Sequence, residues 1–220
     1  MSRPLKIALS MRVVSAVGYN ERRDALAQDW FRLLDYWKAL PICLPNVCND
    51  IESLISMADL VILTGGNDIS LDANNDNISD LEDHAKDRDT QEYKIIDICI
   101  EKKIPLLGVC RGMQLINYKF GGHLAPVNIQ KHVASQHKLK VFKNNFLKQR
   151  ESVNSYHNYG INLDSLAEGL DVLAISSDGV VEAIAHTKHS IFGIMWHPER
   201  NKPFCVADKE LVMNLINGNH

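Results

Sequence analysis

No stretch of this 220-residue chain approaches the roughly 18 consecutive apolar residues that a membrane-crossing helix needs, so no membrane role is expected. A charged leader followed by an apolar core is also missing. Met1-Ser-Arg-Pro-Leu-Lys6 runs straight into a short strand-like segment, and no secretory signal is expected. Cysteine is scarce: five residues, an odd number, with no C-x-x-C spacing. That pattern argues against a disulfide framework and a structural zinc, and for a reducing cytoplasm. Excess positive charge is absent, the formal net charge being −3, which removes the electrostatic case for nucleic acid or an anionic membrane as partner. There is no internal repeat, low-complexity run or linker-like stretch. With 45% hydrophobic and 23% charged residues, positions 1–220 are expected to fold as one α/β domain with a substantial core.

What is present centres on Gly108-Val-Cys-Arg-Gly-Met-Gln114. The apolar run 104–109 before it has the character of a buried parallel strand. Met113, Leu115, Ile116 and Phe120 then recur at near-helical spacing until Gly121-Gly122. Cys110 therefore stands on a sharp strand-to-helix turn framed by glycines, a nucleophile elbow with cysteine for serine. Its thiol at a helix N-terminus is favoured as thiolate. Among nine histidines the best proton-transfer partner is His197, at the end of an apolar strand 191–196 and before Pro198. Glu199, two residues on, points to the same side in an extended segment and is placed to orient the imidazole.

Around these, 6–10 is the first strand, with Arg12 near its carboxyl end, where open α/β sheets bind ligands. Arg12 is either an anion contact or a solvated loop arginine. Asn20 is read as the N-cap of a helix opening through 20–24, with Leu26, Trp30, Leu33, Leu34 and Trp37 as its apolar stripe. Strands are expected at 40–45 and 60–63 and a small helix at 51–57. Gly65-Gly66 either presents N–H groups to an oxygen or simply turns. Residues 68–89 read as a polar surface loop or lid, with His84 solvated, and 88–101 as a helix with Tyr93, Ile96 and Ile100 inward. Segment 138–143 alternates like a half-exposed strand, its lysines a solvated face or a nucleotide-phosphate contact. Ser177-Asp-Gly179 turns between two closing strands, and 208–216 is an amphipathic helix. His132 and His137 are five apart, with no carboxylate or cysteine near them in sequence, so no metal site is expected there.

Gly108–Gln114 together with Met195-Trp-His-Pro-Glu199 resembles the class I glutamine amidotransferase superfamily. Leu60-Val-Ile-Leu-Thr-Gly-Gly-Asn-Asp68 resembles that superfamily's oxyanion strand and its Pro-Gly-Gly-x-Asp turn, with Thr64 where proline is usual. Val153-Asn-Ser-Tyr-His157 and the Arg88, Asp89 and Glu92 helix resemble the γ-glutamyl hydrolase-like (peptidase C26) branch. Met11-Arg12 with Tyr19-Asn-Glu-Arg-Arg-Asp-Ala-Leu26 resembles the γ-glutamyl-CDP-amidate hydrolases of bacterial capsular phosphoramidate synthesis.

The resemblance implies a flavodoxin-like open sheet, mostly parallel and flanked by helices, with a Cys110–His197–Glu199 triad. It implies an oxyanion hole from the Gly66 and Arg111 N–H groups, and substrate contacts at Gly65, Gln114, Asn154 and Ser155, with Arg12 if the capsular likeness holds. His157 either lines the pocket or is a structural histidine. The implied reaction is hydrolysis of a γ-glutamyl amide to glutamate, with no metal and no organic cofactor, on a small molecule such as a cytidine nucleotide conjugate. The same residues serve a γ-glutamyl-γ-aminobutyrate-type hydrolase, or a glutaminase subunit that passes ammonia to a synthetase. A non-catalytic homologue would lack a triad residue, and none is lacking.

Overall fold

A computed structural model describes residues 3–70, 85–142, 147 and 150–218. The chain begins with β1 (Leu5–Ser10), then β2 (Arg12–Ser15) and β3 (Arg22–Ala25). α1 (Gln28–Trp37) leads to β4 (Ala39–Leu44), α2 (Ile51–Ile55) to β5 (Leu60–Leu63), and α3 (Lys86–Lys102) to β6 (Leu106–Val109). α4 (Arg111–Lys119) follows after a single residue. Next come β7 (Ala125–Pro126), α5 (Ile129–His132), β8 (Val133–Lys138), β9 (Lys140–Val141), β10 (Ser152–Tyr156) and β11 (Tyr159–Gly160). β12 (Leu170–Ile175), β13 (Val181–His186), β14 (Ile191–Ile194) and α6 (Val206–Ile216) complete the order.

Eight strands form the central sheet in the order β4-β1-β5-β6-β14-β13-β12-β9. β4 through β14 run parallel; β13, β12 and β9 close the sheet antiparallel. This is the expected mostly parallel α/β architecture. Both faces are covered, which explains why the inner strands read as continuous apolar runs rather than alternating ones. Ile7, Leu9, Leu60, Ile62, Leu107 and Val109 face a core shared with Trp30, Leu33 and Leu34 of α1 and Leu211 of α6. Ala8, Val61, Leu63 and Leu106 face the opposite way, onto Ile95 and Ile96 of α3 and Met113 and Ile116 of α4. The period of two along each strand assigns alternate residues to the two cores.

Two expectations are corrected. No helix opens at Asn20: residues 22–25 pair antiparallel with 12–15 in a hairpin whose loop holds Gly18 at φ +90°. Asp24, read as part of a solvated helical turn, accepts hydrogen bonds from Asn46 N (2.9 Å) and Nδ2 (2.6 Å) instead. The apolar stripe Trp30, Leu33, Leu34 and Trp37 is buried as expected, but its helix starts at Gln28. The strand expected over 138–143 is divided between β8 and β9; residue 143 and His84, with most of the 68–89 segment, lie outside the described residues. No helix among the described residues is long and apolar enough to cross a membrane.

Candidate active site

Three adjacent parallel strands deliver the site at one end of the sheet. β5 ends in Thr64-Gly65-Gly66, β6 ends at Cys110, and β14 runs on to His197. Their registers, Leu63 opposite Gly108 and Val109 opposite Ile194, bring segments more than 40 residues apart in sequence to the same level. The Cys110 N–H donates to the Ile194 carbonyl at 2.7 Å and locks the turn to β14.

Cys110 has φ +52° and ψ −105°, a strained conformation for a residue with a Cβ, and the surroundings enforce it. A Cβ on Gly112 would sit 2.2 Å from the Leu63 carbonyl oxygen, and one on Gly108 would sit 2.6 Å from the Gly112 backbone. Both glycines are needed for α4 to pack this closely on β5 and β6. The thiol thereby sits at the N-terminus of α4, where the unpaired N–H groups of the first turn favour negative charge.

His197 Nδ1 lies 2.7 Å from Glu199 Oε1, and the imidazole contacts the Cys110 thiol. Its ring packs flat enough on Gly65 that a Cβ there would meet Cε1 at 2.7 Å. Burial alone would discharge both groups. It opposes the Cys110 thiolate, but the charge and hydrogen bond of His197, aided by His157, more than offset it, and the thiol pKa falls below its ordinary value. Burial likewise disfavours the imidazolium, yet Cys110 and Glu199 raise His197 to about 9. Both shifts favour a thiolate–imidazolium pair, with the Glu199 carboxylate beside the imidazole. Carbamidomethylation of Cys110 by iodoacetamide should therefore show its inflection below the ordinary thiol range. In His197→Ala the inflection should move up, because burial is then opposed by His157 alone. Coincident profiles for the two proteins would refute the pair.

The remaining candidate residues divide by where their side chains point. Asn154 grips His197 from both sides of its backbone: the His197 N–H donates to Oδ1 at 2.8 Å, and Nδ2 donates to the His197 carbonyl at 2.8 Å. The Ser155 hydroxyl donates to the His132 carbonyl at 2.6 Å and is fully buried. Gln114 Nε2 donates to the Tyr159 carbonyl at 2.8 Å. The resemblance assigns the backbone of the 153–157 segment to substrate; the side chains of Asn154, Ser155 and Gln114 bond to the protein, and Asn154 positions His197. Arg12 lies on β2 with its guanidinium 3.2 Å from where a Gly66 Cβ would be, closer than an ordinary van der Waals contact. It lines a small cavity with Trp30, Gly65, Gly66, His197 and Arg200. A larger cleft of about 440 Å³ opens beyond Asn154, lined by Arg150, Tyr156, Arg200 and Lys202 among others.

Beneath the Gly65-Gly66 turn lies a buried charge network built on the Arg88, Asp89 and Glu92 helix, whose family resemblance carried no expectation of burial. Arg88 is fully buried and donates to Glu92 (2.9 Å) and to the carbonyls of Thr64 (2.6 Å), Gly65 (3.2 Å) and Gly66. Arg111 pairs with both Asp89 and Glu92. A trans peptide points its C=O and N–H in opposite directions. Anchoring the Gly65 carbonyl on Arg88 thus aims the Gly66 N–H away from the network. Thr64, at the position where proline is usual, uses the N–H a proline would lack to bond Ser10 Oγ at 3.0 Å. The only hint in sequence was the charged pattern Arg88-Asp89 with Glu92 on one helical face.

His132 and His137, set aside as a metal pair for want of a nearby carboxylate, acquire one: the fold brings Glu182 of β13 and His157 beside them. Sequence separation hid that neighbourhood.

The peptidase C26 family model matches residues 7–199. The chain is 37% identical, over 88% of its length and 90% of the relative's, to the γ-glutamyl-CDP-amidate hydrolase of Campylobacter jejuni subsp. jejuni serotype O:2. Among solved structures it resembles a provisionally assigned GMP synthase subunit of Thermoplasma acidophilum, with TM-score 0.70, 20% identity, and 99% and 94% of the two chains covered. It also resembles a glutamine amidotransferase of Thermotoga maritima, with TM-score 0.60, 14% identity, and 99% and 86% covered. Those two likenesses speak to the fold. With an elbow cysteine, its histidine and a family match running from the first strand to the triad glutamate, the chain belongs to the peptidase C26 family.

Proposed function

We propose that this protein is a cysteine-dependent hydrolase that releases glutamate from γ-glutamyl-CDP-amidate, leaving cytidine diphosphoramidate for capsular polysaccharide modification. Membership of the peptidase C26 family makes it a hydrolase of amide bonds. The observation that carries the finer reading is the 37% identity, spanning nearly all of both chains, to an enzyme of that name. In this mechanism the Cys110 thiolate attacks the δ-carbonyl carbon of the glutamyl group. The oxyanion that forms is met by the N–H groups of Gly66 and Arg111, two donors fixed before the substrate arrives. Collapse breaks the C–N bond as His197 gives its proton to the departing nitrogen, leaving a glutamyl thioester. His197, now neutral and oriented by Glu199, takes a proton from water as the water attacks the thioester. Glutamate leaves and the thiolate returns. No step calls for a metal or organic cofactor. The glutamyl amino-acid end is assigned to the pocket beside Gln114 and the main chain of Asn154 and Ser155.

The surroundings of His197 suit an anionic leaving group. Arg12 and Arg200 line the small cavity on the Gly66 side, and Arg200, Lys202 and Arg150 line the larger cleft, with the Arg200 guanidinium 4.3 Å from the Tyr156 ring centre. Guanidinium groups recognise phosphate oxygens, and an aromatic ring offers a base a stacking surface. Comparing kcat/KM for γ-glutamyl-CDP-amidate, γ-glutamyl-γ-aminobutyrate and glutamine tests the assignment. The CDP conjugate should lead by at least about 10²-fold, since lost charged hydrogen bonds discriminate strongly between substrates. A lead for the γ-aminobutyrate compound, or for glutamine with a partner synthetase added, would replace this reading.

A further inference from the structure

We infer that His132, His137, His157 and Glu182 form a binding site for one divalent transition-metal ion of the zinc type, independent of which γ-glutamyl substrate the enzyme takes. The four come from four places: the end of α5, β8, the residue after β10, and β13. All are buried, and one ligand atom from each lies within 4.8 Å of the others.

Hydrogen bonding decides which way the lone pairs face. His157 Nδ1 is 2.9 Å from the Tyr159 carbonyl, an acceptor only, so that nitrogen carries the hydrogen. His132 Nε2 is 3.1 Å from Asp178 Oδ2 and carries its hydrogen for the same reason. Their inner nitrogens, His132 Nδ1 and His157 Nε2, then confront each other at 3.3 Å with lone pairs and no hydrogen between them when both rings are neutral. His137 Nε2 and both oxygens of Glu182 are buried with no hydrogen-bond partner. The Glu182 carboxylate reaches no closer than 3.8 Å to His137 Nε2 and to His157 Nε2, too far for a hydrogen bond. A fully buried carboxylate without donors is costly; a proton between His157 Nε2 and His132 Nδ1 would remove their clash and set a charge beside Glu182, but it leaves His137 Nε2 without a partner.

One cation relieves all of them. Ligands about 2.0–2.2 Å from a tetrahedral ion stand about 3.3–3.6 Å apart, close to the 3.3 and 3.8 Å separations seen here. Three imidazoles and one carboxylate favour zinc over magnesium or calcium, which prefer all-oxygen shells. Outer nitrogens tied to a carboxylate and a carbonyl are what metal-bound histidines characteristically show. Four protein ligands leave no open position, so the role is structural. Among the described residues β8 and β10 pair only with each other, outside the central sheet, and the ion would fasten that ribbon to β13. Because β10 carries Asn154, the fastening would also hold His197.

The test uses the full chain carrying Cys110→Ala, so that the nucleophile cannot compete as a ligand. After chelator treatment it is titrated with Zn²⁺ against a chromophoric chelator and, separately, with Co²⁺. We expect one equivalent per chain, visible tetrahedral cobalt bands without an intense near-ultraviolet thiolate band, and a melting temperature that rises with Zn²⁺. Glu182→Gln should abolish stoichiometric binding. Asp178→Asn, a partly exposed change that spares the ligands, should weaken it by about 10–100-fold and serves if the first variant does not fold. Absence of stoichiometric binding, a thiolate band in the cobalt spectrum, or unchanged affinity in Asp178→Asn would overturn the site.

Discussion

Replacing Cys110 with alanine should lower kcat for γ-glutamyl amide hydrolysis by about 10⁴–10⁶-fold, the loss seen when a nucleophile is removed from a concerted triad. The size follows from what the residue does at once. It supplies the bond-forming atom, it occupies a backbone turn held by Ile194, and its charge, together with Glu199, raises His197 to about 9. Alanine leaves the oxyanion donors and the binding pocket in place, so the residual rate should be that of positioned but unactivated water. Stability should change little, since alanine satisfies the same φ of +52° no worse than cysteine does. Rapid-quench mass spectrometry should show a glutamyl adduct on the wild-type chain and none on the variant. An adduct elsewhere, or a kcat within tenfold of wild type, would assign the chemistry to another group.

Arg88→Met should produce the second-largest effect, about 10–10³-fold in kcat together with about 3–5 kcal/mol in stability. The stability loss comes from leaving Glu92 and the Thr64, Gly65 and Gly66 carbonyls buried around an apolar side chain. A chain of this size should then melt roughly 6–20 °C lower. The kinetic loss has a separate origin: without its anchor, the Gly65–Gly66 peptide can rotate and take the oxyanion donor with it. Arg88 does not set the charge on the thiolate, which answers to His197 and its neighbours. Alkylation of Cys110 at neutral pH should therefore proceed at the wild-type rate while kcat falls. A parallel loss of alkylation and turnover would reduce Arg88 to a purely structural role, and Arg88→Lys should recover part of kcat because one ammonium can still reach one or two of the carbonyls.

Sheet and helix order were legible because both faces of the sheet are covered: buried parallel strands leave apolar blocks, and the glycines flanking Cys110 mark a turn with few alternatives. Legibility failed where polar residues carry the structure. The 20–24 stretch reads as a solvated helical turn, yet its Asp24 is an internal anchor for Asn46, and the charged alternation belongs to a hairpin. Arg88, Asp89 and Glu92 read as the start of a helix, with no local sign that all three are buried and support the loop opposite the nucleophile. Asn154 reads as a position whose backbone meets substrate, with no local sign that its side-chain amide spans the His197 peptide groups. The histidine cluster was hidden for a different reason: His132 and Glu182 are 50 residues apart, and no local periodicity links an α5 terminus to β13. Local pattern reports burial of apolar side chains well; it is silent about which buried polar groups find one another.

The site's dependence on β5, β6 and β14 lying side by side also governs when its chemistry switches on. Synthesis proceeds from the N-terminus, so Cys110 emerges from the ribosome long before His197. Until β14 docks against β6, the thiol has neither an imidazolium to ionise it nor the Ile194 carbonyl to set its turn. An unpartnered cysteine at neutral pH is mostly protonated and a slow nucleophile. The growing polypeptide thus carries a dormant sulfur that becomes reactive only when the last strand of the site is in place, so assembly itself acts as the safety catch.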